Sequence, residues 1–100
     1  PYQYYLETNM SRNLMDAPTG TKVRMCRDLS GSEGWEHVKE CLDPEKFYTV
    51  SSVQIDNWSS HVILTEFPHR SFNICTLETV EEFEPVSKET ARARLTYFQG

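Results

Sequence analysis

Between Thr21 and Phe83 the chain runs in short bursts of alternating apolar and polar positions, separated by turn-forming residues. Such bursts are the mark of half-buried strands in a small antiparallel β protein. The first is Thr21 to Arg27, where Lys22, Arg24 and Cys26 alternate with Val23, Met25 and Arg27. Ser30-Gly31-Ser32-Glu33-Gly34 then offers turn and helix-start chemistry. Trp35, Val38 and Leu42 follow at helical spacing with Cys41 beside them, which predicts a short helix anchored in the core by Trp35. Asp43-Pro44 ends it, because proline disfavours a helical residue before it.

Phe47 to Ile55 is aromatic and β-branched, but its apolar phase slips between Tyr48/Val50 and Val53/Ile55. A bulge near Ser51-Ser52 reconciles the two phases. Asp56-Asn57-Trp58-Ser59 reads as a hairpin turn, His61 to Phe67 as a third strand, and Pro68-His69-Arg70 as the next turn. Ser71 to Leu77 supplies a fourth strand, with Phe72, Ile74 and Thr76 on one face and Asn73, Cys75 and Leu77 on the other. Val80 and Phe83 are expected to close the sheet. Ser87 is an N-cap candidate, and Ala91, Leu95 and Phe98 form the stripe of an amphipathic C-terminal helix.

Ahead of all this, Tyr2-Gln3-Tyr4-Tyr5-Leu6 has strand propensity, whereas Asn9 to Gly20 has no sustained period. The expectation is a mainly β chain: a small barrel or bent antiparallel sheet of roughly four to six strands, with one inserted short helix and a C-terminal amphipathic helix. One domain is expected, divided into an arm over residues 1–20, a β core over 21–84 and a helix over 85–100. The opening Pro1 leaves the native start undetermined, and Tyr97-Phe98-Gln99-Gly100 resembles the recognition site of a potyviral-type protease.

Charge narrows the function. A net charge of -5, with the Lys and Arg residues dispersed, argues against direct nucleic-acid binding, which needs clustered cations to displace counterions from phosphates. The longest apolar runs, such as Val62-Ile63-Leu64, are far shorter than the roughly 20 residues that span a bilayer. No membrane partner is expected. Three cysteines at irregular spacing, Cys26, Cys41 and Cys75, do not form a disulfide framework and are read as buried structural thiols in a reducing, cytoplasmic setting.

Lys22-Val23-Arg24-Met25-Cys26, then Asp43-Pro44-Glu45-Lys46-Phe47-Tyr48-Thr49-Val50, then a hairpin and the segment from Phe72 to Val80, resemble short phage and prophage proteins with SH3-like barrels. In those proteins a "K-V-x-C" strand precedes a "G-K-x-Y-x-V" strand. The resemblance covers residues 21–83 and departs from the pattern at Glu45, where the family has Gly, and at the helix over Trp35 to Leu42, which fills a shorter loop. It implies a five-stranded barrel with a binding role, carries over no catalytic residue, and would set the chain in a host cytoplasm.

Candidate chemistry is sparse. No phosphate loop, metal-protease helix or nucleophile elbow occurs, so neither an enzyme nor a cofactor is expected. His37 and Cys41, spaced i and i+4 on the helix, could chelate a soft metal together with Cys26 or Cys75. Glu78, Glu81 and Glu82, with Glu84, form an acidic stretch that keeps a sheet edge wet or presents a charged contact surface. Trp58 in its turn and Tyr2, Tyr4 and Tyr5 in the arm are interface anchors by residue type. The resulting expectation is a non-enzymatic protein-binding module, phage-encoded as an accessory or host-modulating protein. The alternatives are an acidic inhibitor that imitates nucleic acid and a small Cys/His metal protein or enzyme.

Overall fold

A computed structural model describes residues 10–27, 35–57 and 59–95. Five strands form one antiparallel sheet: β1 (Lys22–Met25), β2 (Tyr48–Ile55), β3 (Ser60–Leu64), β4 (Phe67–Asn73) and β5 (Leu77–Thr79). Their spatial order is β4-β3-β2-β1-β5, with no barrel closure between the two outer strands. Among the described residues there are two short α-helices, α1 (Trp35–Cys41) and α2 (Lys88–Ala93).

The alternation along β1 works as expected: Val23 and Met25 are buried, while Lys22 and Arg24 turn outward. In β2, Tyr48 and Val50 point inward, then the phase changes and Val53 becomes the buried residue. The cause is a register irregularity between Val50 and Ser52, one residue that re-aims the second half of the strand. β2 therefore joins two halves of the sheet, pairing its start with β1 and the rest with β3.

Those inward faces meet in one core. Val23, Val50, Val62, Leu64 and Phe72 are fully buried, and Val38 and Leu42 bring the α1 side against them. Burying the Phe72 ring contributes about 2–3 kcal/mol. Phe67 packs edge-on to it, with centroids 5.8 Å apart.

Several expectations need correction. Pro68-His69-Arg70 is not a turn: the chain reverses at Thr65 and Glu66, and Pro68 lies inside β4. β4 is an outer strand, where a missing N–H costs the ladder nothing. Ser71 to Leu77 is not one strand either, because Asn73 stops it. The Asn73 side chain accepts from the Cys75 N–H at 2.9 Å and its carbonyl accepts from the Thr76 hydroxyl at 2.6 Å, which together fold Ile74–Thr76 into a 3₁₀ turn. The chain leaves that turn as β5, running back along β1.

The stretch before Gly20, which showed no period, contains a 3₁₀ turn at Leu14–Asp16 that places Leu14 and Ala17 in the core. Ser11 bridges Phe83. Ser87 caps α2 as expected, accepting from the Thr90 N–H at 3.3 Å, but no residue of that helix is fully buried. What seats the C-terminal segment is the residue after it: the Arg94 carbonyl accepts from the Ile55 N–H at 2.8 Å, and Leu95 bridges Ile55. Phe98 lies outside the described residues.

Candidate functional site

β5 is an outer strand, and its hydrogen-bond phase is fixed by two bonds that flank the ladder. Val80 N–H donates to Lys22 at 3.1 Å, and Cys26 N–H donates to Thr76 at 2.9 Å. With Arg24 opposite Glu78, the bonded pairs are therefore Lys22/Val80, Arg24/Glu78 and Cys26/Thr76. Leu77 and Thr79, opposite Met25 and Val23, are the intervening pairs, whose own N–H and C=O groups point away from β1. The Leu77 N–H turns back to Ile74. This leaves the Leu77 carbonyl and both backbone groups of Thr79 on the outer edge, where no described strand pairs with them.

Along that edge runs an open groove of about 430 Å³. It is lined by Leu77, Glu78 and Thr79 of β5, by Ile74 and Cys75 of the preceding turn, and by the segment Arg12 to Met15. Within that segment Leu14 turns into the core while Met15, next in the 3₁₀ turn, is left 37% exposed. The groove thus combines unpaired backbone groups with Met15, Ile74 and Leu77, and carries a charge of each sign, Arg12 and Glu78, at its rim.

Arg24 and Glu78 meet at 3.3 Å on the outer face of β1 and β5. Beyond Arg24 lies a second hollow of about 440 Å³, lined by Met25, Arg27, Pro44, Glu45 and Phe47. Phe47 is 57% exposed. It directly precedes β2, whose Tyr48 and Val50 face inward.

Of the residues singled out in the sequence, Tyr2, Tyr4, Tyr5 and Trp58 lie outside the described residues. Glu78 is held by Arg24 and lines the groove, whereas Glu81 and Glu82 are exposed, Glu82 standing 3.9 Å from Arg12. His37 stacks on Phe72 at 5.1 Å, and the Cys41 sulfur accepts from Arg70 Nη1 at 3.3 Å. Helical spacing alone does not bring them a third ligand: among the described residues no group of three His, Cys, Asp or Glu side chains gathers as a metal site would require. Trp35 is no core anchor; it is 39% exposed, with the Lys39 ammonium 5.0 Å from its ring centre. The cysteines are not buried as expected either, since Cys26 and Cys41 are half-buried and Cys75 is exposed.

Sequence reasoning missed Met15 and Phe47. Phe47 carried a readable signal, because it adjoins Tyr48 in a run whose alternation turns Tyr48 and Val50 inward. Met15 carried none until Leu14 and Ala17 defined which side of the turn faces the core.

No protein-family model matches the chain, and no characterised protein or solved structure resembles it closely enough to count as a match. Among the described residues no helix is long and apolar enough to cross a membrane.

Proposed function

We propose that this chain is a non-enzymatic binding module that captures an extended segment of a partner protein along the outer edge of β5. The observation that carries the reading is the coincidence of that edge with the groove. Leu77 and Thr79, whose backbone groups turn away from β1 on the ladder's phase, line the same hollow as Leu14 and Met15. Adding a strand to an exposed edge gives affinity through the main chain, and pockets for alternate side chains give specificity. Met15 suits such a role, because a flexible thioether adapts to different partners.

We also propose that the sheet is an open version of the SH3-like arrangement suggested by residues 21–83. Support comes from the chain path. β5 returns through one 3₁₀ turn to pair with β1, and an irregular β2 serves both halves of the sheet, a path that a small five-stranded barrel also follows.

The test is selection of peptides from a random displayed library on the intact chain, followed by amide NMR mapping. Selected peptides should perturb Leu77 to Thr79 and Leu14 to Met15, and should lose most of their affinity when alternate backbone nitrogens are methylated. Recovery of no peptide, or of peptides that map to the Phe47 hollow and tolerate methylation, would overturn the proposal.

A further inference from the structure

Cys26 follows β1 directly and Cys75 lies in the 3₁₀ turn that precedes β5, so the β1/β5 ladder brings two residues distant in sequence together. The Cys26 N–H donates to the Thr76 carbonyl at 2.9 Å, and its thiol points at the Cys75 carbonyl oxygen, 3.6 Å away. A carbonyl oxygen lies about 2.4 Å from its own Cα, so the Cys26 sulfur is within roughly 6 Å of the Cys75 Cα. Thr76 is the bonded partner of Cys26, about 5.5 Å away across the ladder, and Cys75 is the residue beside it, a diagonal neighbour of Cys26 near the upper limit of what a disulfide spans. Both residues are free thiols.

We infer that Cys26 and Cys75 are a reversible redox pair that closes into an intramolecular disulfide when the protein meets a small-molecule disulfide oxidant. The two sulfurs have different roles. Cys75 is exposed and is the one an oxidant reaches. Cys26 is half-buried; burial, and then the negative charges of Glu78 and Cys75, push its thiol above the ordinary value against the opposing pull of Arg24, which makes it a poor first nucleophile.

In the first step the Cys75 thiolate attacks one sulfur of the oxidant RSSR. This forms Cys75–S–SR and releases one thiolate, RS⁻. In the second step Cys26, losing its proton to solvent, attacks the Cys75 sulfur, forms the Cys26–Cys75 bond and expels the second RS⁻. Two protein thiols are oxidised, one disulfide is reduced to two thiols, and the two protons end on the released RS⁻ groups. The third cysteine is set apart, since the Cys41 sulfur is engaged by Arg70 beyond the opposite side of the sheet order.

The pairing does not depend on the groove binding a peptide, although Cys75 lines it. The test is incubation of the full chain with excess oxidised glutathione, followed by mapping of linked peptides by mass spectrometry without reduction. The expected result is a monomer lighter by two hydrogens, a Cys26–Cys75 cross-linked peptide, a raised melting temperature and full reversal by dithiothreitol. Cys41→Ser should behave identically, whereas Cys26→Ser should stop at a glutathione adduct on Cys75. An adduct that persists on Cys75 in the unsubstituted chain, a bridge involving Cys41, linkage only between chains, or no reaction would each overturn the inference.

Discussion

The Arg94 guanidinium reaches across the fold to the carbonyl oxygen of Ala17, donating through Nη2 at 2.5 Å, while its Nη1 donates to the Met15 carbonyl at 2.7 Å. Arg94 is only 9% exposed and Ala17 not at all. Burial pulls the Arg94 pKa down and the nearby Asp16 carboxylate opposes it, so the charge is held by local acceptors and an acid instead of by water. One side chain thereby ties the C-terminal segment to the 3₁₀ turn that lines the groove.

Replacing Arg94 by Met should therefore leave two carbonyls without donors and lower stability by roughly 2–4 kcal/mol. Arg94→Lys should lose about half as much, because a single ammonium cannot span both oxygens in the same fork. Urea denaturation checks this, and a Met variant within about 0.5 kcal/mol of the unsubstituted chain would contradict it.

Gly20 turns the chain from the N-terminal segment into β1 with φ at 98°, in the region that L side chains avoid, while its N–H donates to the Val50 carbonyl at 2.8 Å. A Cβ placed there meets nothing within 4 Å. The cost of Gly20→Ala is therefore one of backbone conformation alone, about 1–2 kcal/mol, and Gly20→Asn should cost less because Asn tolerates positive φ. Thermal melts of the two variants should rank in that order.

Burial pushes the Glu66 carboxyl up, but hydrogen bonds from the Thr49 and Glu66 backbone N–H groups, the Thr49 hydroxyl and the charge of Lys22 outweigh it and hold the carboxyl below its ordinary 4.5. A depressed folded-state value means that the contribution is complete above about 4.5 and lost as pH falls through the lowered value. Glu66→Gln should accordingly be slightly less stable than the unsubstituted chain at neutral pH, with the gap narrowing below that range. A gap independent of pH would show that the carboxylate charge plays no part.

Much of the fold was legible because side-chain periodicity reports burial directly. The phase slip in β2 gave the bulge between Val50 and Ser52, the stripe Trp35/Val38/Leu42 gave α1, and Ser87 gave the cap of α2. Errors came where a local hydrogen bond overrides alternation. Ser71 to Leu77 alternates well enough for a strand, yet the Asn73 side chain captures the Cys75 N–H and turns the chain. Pro68 looks like a turn until the terminal position of β4 removes its penalty. The site was less legible still. It follows a backbone edge, which any residues can supply, and part of its lining depends on Leu14 docking from another part of the chain.

Amide hydrogen exchange at Thr79 tests the open edge most directly. In the free protein the Thr79 N–H should exchange at least tenfold faster than those of Glu78 and Val80, which are bonded to β1, and should slow when a selected peptide is added. A Thr79 amide already as protected as its two neighbours would mean that the edge is covered, and peptide capture along β5 would be excluded.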